Sequence, residues 1–226
     1  MISIVVPVLN EASVLPRTLE RLLAQDGSLE VVVVDGGSAD TSAAVAGAYP
    51  GVRVLASARG RGAQMNAGAR AARGDALLFL HADTCLPDGA IARLESRLQA
   101  DATLQAGAFR HCFDPSDWRL RIVSAGNNLR CRRSRIYFGD QAIFVRRSLF
   151  ERVGGFPEVP LLEDMIFCER LRPHTRAVLL PESITTDARR FLHHGVWRST
   201  VRGLLILGRH RLGLPPRGNG FSDEVR

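Results

Sequence analysis

The chain has 226 residues, of which 46% are hydrophobic and 23% charged, proportions that exclude whole-chain disorder, a collagen and a disulfide scaffold. Its four cysteines are far apart, which excludes zinc ribbons and thioredoxin-like pairs, and all 30 basic residues are Arg. The net charge of +7 comes from the part after residue 100, which could therefore hold a phosphate-bearing partner. No apolar run approaches the roughly 20 residues that cross a bilayer, and no signal peptide is visible, so we expect a cytoplasmic protein.

Strand and helix patterns alternate through the first hundred residues. Strands are predicted at residues 2–7, 30–34, 52–56 and 76–80, and helices at residues 14–24, 41–48, 63–72 and 88–99. The third of these strand-to-helix connections is rich in Gly and Arg. Strand–helix repetition with short connections predicts an α/β fold with a mostly parallel sheet flanked by helices.

The pattern loosens after residue 100. Strands are predicted at residues 104–113 and 141–145, and helices at residues 117–130, 149–153 and 195–211, the last of them basic and amphipathic. A helical stretch also opens at Glu163 and continues through Leu171. We expect one domain over residues 1–212 and a polar tail over residues 213–226, frayed after Arg217.

Chemistry-bearing residues follow the predicted strands, at residues 7–11, 35–40, 60–68 and 81–84. In an open parallel sheet, ligands bind at the carboxyl ends of the strands. Carboxylates and a basic loop around one crevice suit a nucleotide bound through its base, ribose and metal-bridged diphosphate. A dinucleotide fingerprint is disfavoured because Met65 stands where its third glycine belongs, and a P-loop is excluded because the chain has no Lys.

His81 and Asp83 are one residue apart at a predicted strand end, so both side chains are expected on the same side. Two such ligands can hold a divalent cation against a diphosphate. Asp83 suits Mg²⁺ or Mn²⁺, and His81 suits Mn²⁺ better than Mg²⁺. The alternative for His81 is a core histidine.

The order and spacing of several motifs resemble family 2 glycosyltransferases over roughly residues 2–212. The motifs are Pro7-Val8-Leu9-Asn10-Glu11, Val34-Asp35-Gly36-Gly37-Ser38, Asn66-Ala67-Gly68, Leu80-His81-Ala82-Asp83, Gly154-Gly155-Phe156-Pro157 and Glu163-Asp164. Finer details of the second half resemble one subgroup, the rSAM/selenodomain-associated transferase 2 or arsenosugar-biosynthesis glycosyltransferases. The resemblance implies a GT-A fold, with a nucleotide-binding half (residues 1–100) and an acceptor half (residues 101–212). It also implies inverting transfer from a nucleotide-diphospho-sugar, with UDP the commonest nucleotide, to an acceptor hydroxyl, with a divalent cation as cofactor.

The resemblance also assigns site residues, with Asp164 as the general base. Donor contacts are expected from Pro7, Asn10, Glu11, Asp35, Arg61, Gln64, Asn66 and Asp83. Acceptor contacts are expected from Asp140, Gln141, Glu163, Arg189 and Arg190, of which the two arginines could also close over the diphosphate. Structural alternatives stand beside these roles: Asp35 can organise a Gly-Gly turn, Glu11 can cap the helix that follows it, and acids are favoured in the first turn of a helix. For Arg61 and Gln64 the alternative is a solvated helix start.

Two rival functions are weaker. A nucleotidyltransferase would carry a G-x-G-T/S-R signature and a Lys after the first strand, where Asn10 and Glu11 stand instead. An RNA-binding protein would interleave aromatic and basic residues, but aromatics are only 6% of this chain, so no nucleic-acid partner is expected. The basic helix at residues 195–211 could contact a membrane peripherally or pack against the core.

Overall fold

The structure is a computed structural model that describes residues 1–214; the predicted frayed tail after Arg217 lies outside these residues. The first half alternates strands and helices as expected. Its elements are β1 (Ile2–Val8), α1 (Leu15–Leu23), β2 (Leu29–Asp35), α2 (Ser42–Gly47), β3 (Val52–Ala56), α3 (Arg61–Ala71), β4 (Ala76–Phe79), the short β5 (Thr84–Cys85) and α4 (Ala90–Ala100).

The four consecutive valines of β2 show why this half forms a covered sheet. β2 pairs in parallel with β1 and β3, and β1 pairs in parallel with β4. Side chains alternate across a strand, so Val31 and Val33 pack in one hydrophobic cluster while Val32 and Val34 pack in another. Helices cover both faces, which is the layered α/β arrangement predicted from the sequence.

The second half extends the same sheet. Its elements are β6 (Ala106–Asp114), α5 (Trp118–Ser134), a single 3-10 turn at Gly139–Gln141, β7 (Ile143–Arg146), α6 (Arg147–Arg152), α7 (Glu163–Leu171), β8 (Val178–Asp187), α8 (Arg189–His194) and α9 (Val196–Arg211). The strand order over the described residues is β3-β2-β1-β4-β7-β6-β8-β5. The β4–β7 pairing is antiparallel, so a parallel half meets a mixed half at the middle of one sheet.

Two strands were not expected. β8 escapes sequence pattern because Pro181 interrupts it and its burial is irregular, and its pairing with β6 contains a bulge. β5 has only two residues, too few for any periodicity, and pairs with the end of β8. Among the described helices, none is both long enough and apolar enough to cross a membrane.

Candidate functional site

The loops after β1, β3 and β4 enclose a small pocket at the carboxyl edge of the parallel strands. We call it the donor-side pocket; six of the residues that line it are Pro7, Glu11, Arg61, Gln64, His81 and Asp83. Arg59, Gly60 and Arg190 also line it. The pocket lies at the strand ends, where the sequence predicts a ligand site, and ligand binding there stays a prediction.

A larger cavity of about 290 Å³ adjoins this pocket. We call it the catalytic cavity; six of the residues that line it are His81, Asp83, Gly139, Asp140, Glu163 and Asp164. Arg61, His81, Asp83 and Arg190 line both spaces. Residues from the two halves of the chain thus meet around one connected volume.

Asp164 lies in the first turn of α7 with its carboxylate aimed into the catalytic cavity. The residue is 6% exposed; one oxygen, Oδ2, accepts a 2.8 Å hydrogen bond from the Gly139 backbone N–H, and the other, Oδ1, has no hydrogen-bond partner. Burial, reinforced by the negative charge of Glu163, raises the pKa of Asp164 to about 8. With a pKa of about 8 the carboxyl is mostly protonated at neutral pH, and its ionised fraction is a strong enough base to take a proton from a hydroxyl placed at the free oxygen.

A strained backbone turn at Leu162, just before α7, positions Asp164 in the cavity. Leu162, the residue before α7, has a φ of +67°, in the left-handed region that side chains other than Gly and Asn disfavour. Gly139 completes the placement, because a Cβ there would stand 2.0 Å from His81 Nε2 and 2.9 Å from Asp164 Oδ2. Only a glycine lets the 3-10 turn approach both side chains so closely.

His81 and Asp83 line the same cavity, although not by the geometry expected. β4 ends at Phe79 and both residues lie in the connection that follows it, so a turn, rather than strand alternation, brings the two side chains together. His81 Nε2 is buried without a hydrogen-bond partner. Burial, together with the charges of Arg61 and Arg190, holds the pKa of His81 well below its usual value, so the imidazole is neutral.

Glu11 joins the two halves of the chain across the donor-side pocket. Its carboxylate pairs with the guanidinium groups of Arg189 and Arg190 at the start of α8. Arg190 also lies 4.0 Å from the Asp83 carboxylate. Arg190 therefore lines the donor-side pocket as well as the catalytic cavity, a position that suits both expected roles, acceptor contact and closure over the diphosphate, and both stay predictions.

Two residues predicted to contact the donor form hydrogen bonds with the protein backbone. The Gln64 amide donates to the carbonyls of Val8 and Val34, at 2.8 and 2.9 Å, and so ties the ends of β1 and β2 together. Asn66 exchanges two 2.9 Å hydrogen bonds with the backbone of Phe156. Gln64 still lines the donor-side pocket. The Asn66 side chain instead fixes the Gly154–Pro157 segment through its hydrogen bonds to Phe156.

Asp35 and Asn10 organise the loops beside the pocket. The Asp35 carboxylate accepts hydrogen bonds from the backbone N–H groups of Gly37 and Ser38, at 3.0 and 3.1 Å. Asn10 accepts a 2.8 Å hydrogen bond from the Ala39 N–H. The turn role that the sequence allowed for Asp35 is thus present in the structure, and a nucleotide contact by either residue stays a prediction.

Of the predicted acceptor residues, the structure brings Asp140 and Glu163 to the cavity and leaves Gln141 outside it. Gln141 is 0% exposed, and its side-chain oxygen accepts from the Phe138 N–H and the Cys131 thiol. This placement corrects the expected acceptor contact, since the Gln141 side chain is part of the core. Glu163 is also buried and lies 3.7 Å from Arg61.

Sequence reasoning missed the apolar wall of the catalytic cavity. That wall includes Phe113, Phe138, Leu162, Phe191, Ile206 and Leu207. These residues come from five separate elements and loops, and no local spacing relates them. Only the amphipathic pattern of residues 195–211 gave a partial signal, and α9 does pack Ile206 inward.

Comparison with known proteins identifies the family. Residues 3–156 match the family described as "Glycosyl transferase family 2". The chain is 33% identical over 172 residues to a PGL/p-HBAD biosynthesis glycosyltransferase of Mycobacterium bovis, a match covering 69% of this chain and 63% of the relative. It is 29% identical over 209 residues to an undecaprenyl-phosphate 4-deoxy-4-formamido-L-arabinose transferase of Sodalis glossinidius, covering 88% of this chain and 60% of that protein. The chain therefore spans about three fifths of the length of these relatives.

Solved structures share the fold. The mannosyltransferase PcManGT of Pyrobaculum calidifontis, in complex with GDP-Man and Mn²⁺, superposes with a TM-score of 0.69 at 24% identity and covers 91% of this chain and 61% of its own. Staphylococcus aureus TarS (residues 1–349) in complex with UDP-GlcNAc gives a TM-score of 0.64 at 18% identity, covering 82% of this chain and 58% of its own. These likenesses confirm the GT-A fold expected from the motifs. The sequence match shows that the chain belongs to glycosyl transferase family 2.

Proposed function

We propose that the protein transfers a sugar, with inversion, from a nucleotide-diphospho-sugar to an acceptor hydroxyl. The observation that carries this proposal is the continuity of the donor-side pocket with the catalytic cavity through Arg61, His81, Asp83 and Arg190. A donor bound on one side would present its anomeric carbon toward a cavity that holds a buried carboxylate with a free oxygen. Inverting displacement needs a base on the side opposite the leaving group, and Asp164 is the residue suited to it.

Donor binding would use the loops of the first half. Arg61 and Arg190 supply guanidinium groups, which match the fork geometry of phosphate oxygens. Pro7, Glu11 and Gln64 line the same pocket. The structural neighbours carry GDP-Man and UDP-GlcNAc, so a nucleoside diphosphate is supported as the donor class, and we keep UDP as the first base to test.

The donor set of His81 and Asp83 fits a divalent cation shared with the diphosphate. Their fit rests on the unpartnered Nε2 of a neutral, buried His81 beside the Asp83 carboxylate, both of which line the same two spaces. No group of three or more His, Cys, Asp or Glu residues that could hold a metal occurs among residues 1–214, so phosphate oxygens would supply the remaining ligands. A bound Mn²⁺ or Mg²⁺ would neutralise charge on the departing diphosphate.

Asp164 would remove the proton from the acceptor hydroxyl. Its Oδ2 is held by the Gly139 N–H, which orients the carboxylate and leaves Oδ1 for the acceptor. Asp140 and Glu163 also line the cavity and would hold the acceptor's other polar groups. The finer likeness to the arsenosugar-biosynthesis subgroup stays part of this proposal, and it rests on the motifs of the second half.

Thermal stabilisation by UDP, GDP, TDP and CMP, each with Mn²⁺, Mg²⁺ or EDTA, tests the donor half of the proposal. A ligand at 100 times its dissociation constant adds about 2.7 kcal/mol of stability. We expect a metal-dependent shift with one nucleoside diphosphate. If none of the twelve combinations shifts the transition, the donor site is refuted.

Asp164→Asn tests the catalytic half. Loss of a general base lowers turnover by about 10²–10⁴-fold, while the stabilisation by nucleotide should stay as in the wild type. Asp26→Asn, at an exposed carboxylate far along the chain from the cavity, is the matched control and should keep full turnover. Unchanged turnover in Asp164→Asn would refute the assignment of the base.

A further inference from the structure

A third space, about 540 Å³, runs between α5 and α9. We call it the α5–α9 groove; six of the residues that line it are Ile122, Val123, Gly126, Trp197, Leu204 and Leu207. Residues three or four positions apart share one face of a helix, so one face of each helix forms one wall. The walls are largely apolar and stay open to water, with Ile122 53% and Leu204 60% exposed.

The groove is continuous with the catalytic cavity. Seven residues line both spaces: Phe113, Phe138, Asp140, Phe191, Ser199, Gly203 and Leu207. A molecule that places a hydroxyl beside Asp164 can therefore extend into the groove without leaving the protein surface. The groove does not adjoin the donor-side pocket, because the two share no lining residue.

The junction carries buried polar atoms that lack partners. His111 is 1% exposed, its Nε2 has no hydrogen-bond partner, and it lies 3.8 Å from the Asp140 carboxylate. Asp140 Oδ1 and Ser199 Oγ are also buried without hydrogen bonds. Buried polar groups in folded proteins are nearly always satisfied by protein, water or ligand, so these three atoms offer hydrogen-bonding capacity that the polar groups of a ligand can use at the junction.

Gly126 keeps the groove wide. It lies inside α5, where glycine is unfavourable compared with alanine, and a Cβ at this position would meet nothing within 4 Å. No neighbouring atom therefore requires a glycine there. The absence of a side chain leaves room that an apolar group can fill.

We propose that the acceptor is an amphiphile, with its hydroxyl-bearing head in the catalytic cavity and an apolar chain or ring in the α5–α9 groove. This inference rests on the proposed function, since it specifies the substrate of the same site. We expect a single soluble acceptor molecule, rather than a bilayer, to occupy the groove, because the groove is concave and ends at polar atoms beside the reacting centre. A purely polar metabolite would leave the apolar walls exposed.

Tryptophan fluorescence measures ligand binding in the α5–α9 groove directly. The chain has two tryptophans, Trp118 and Trp197, whose rings lie 6.2 Å apart, and Trp197 lines the groove. The probes are alkyl β-glucosides from butyl to decyl, each kept below its critical micelle concentration. We expect the emission to change on binding and the dissociation constant to fall about four-fold for each methylene buried.

Two glycine substitutions provide the matched comparison. Gly126→Leu fills the groove and should weaken binding of the octyl glucoside at least ten-fold. Gly208→Leu makes the same change on α9, where a Cβ also meets nothing within 4 Å but which lies outside the groove lining, and should bind as the wild type does. Thermal unfolding of both variants confirms that each is folded.

A dissociation constant that does not depend on chain length, or equal binding by the two variants, would overturn the inference. Flotation of wild type and Gly126→Leu alike with anionic phosphatidylglycerol vesicles, without binding of the monomeric glucosides, would also overturn it and assign the surface to a membrane. The titration uses no nucleotide and no turnover. Chain-length-dependent binding without stabilisation by any nucleoside diphosphate would therefore contradict the proposed function alone.

Discussion

Burial of Asp164 makes a quantitative prediction about stability. The pKa of this carboxyl is raised from an ordinary 3.8 to about 8, first by burial and then by Glu163. Between these two values the folded protein holds a proton that the unfolded chain has released. The free energy of unfolding contributed by Asp164 is therefore fully present below pH 3.8 and is lost as the pH rises through 8.

The size of the effect follows from the shift. One pKa unit corresponds to 1.36 kcal/mol, so the Asp164 contribution falls by about 3 kcal/mol between pH 5 and pH 7. Asp164→Asn removes the titration and retains an oxygen for the Gly139 N–H. Its free energy of unfolding, relative to the wild type, should rise by about 3 kcal/mol over that interval, or roughly 6–12 °C in Tm.

Urea unfolding of wild type and Asp164→Asn at pH 5, 6 and 7, followed by circular dichroism, measures this difference. Carboxyl groups away from Asp164 titrate alike in both proteins, so the difference between the two curves reports Asp164 together with its coupling to Glu163. Asp26→Asn, at an exposed position, should follow the wild type at every pH. Parallel curves for wild type and Asp164→Asn would refute the account of Asp164 as a buried, proton-holding carboxyl.

Three further changes test the packing around the site. Gly68→Ala should lower the free energy of unfolding by about 1–3 kcal/mol in urea unfolding, because its Cβ would stand 2.3 Å from Val5 Cγ1; Gly47→Ala, where a Cβ meets nothing within 4 Å, should not. Asn66→Ala should cost about 1–3 kcal/mol and leave nucleotide stabilisation unchanged; weakened nucleotide binding would show a direct donor contact instead. Gly139→Ala should lower initial rates of transfer by about 10²-fold, because its Cβ displaces catalytic-cavity groups, and full activity would contradict the close approach.

The first half of the fold was predictable because its signals are local. Four consecutive valines mark a covered strand, and the strand-end rule then predicts where Glu11 and Asp83 lie without any knowledge of contacts. The second half was less predictable, since β8 carries an internal proline and pairs through a bulge. Gln141 illustrates the limit for site residues. It follows Asp140 directly, yet the 3-10 turn sends one side chain to the cavity and the other into the core.

Chemistry-bearing residues were easier to find than the surfaces that select a substrate. Asp164 stands in a recognisable acidic pair at the start of a helix, whereas the groove walls combine residues from α5 and α9 that are about 75 positions apart. These apolar residues form a groove only when the two helices pack side by side, so the sequence of either helix alone does not predict it. A sequence therefore indicates the reaction before it indicates the acceptor.

The pairing of Glu11 with Arg189 and Arg190 has a kinetic consequence. An incoming diphosphate carries the same sign of charge as Glu11 and competes with it for Arg190, which also lines the catalytic cavity. Release of Arg190 from Glu11 changes the wall that the acceptor meets. Substrates should therefore bind in a compulsory order, donor before acceptor. The acceptor then contacts a cavity wall that takes its final arrangement only after the donor has bound.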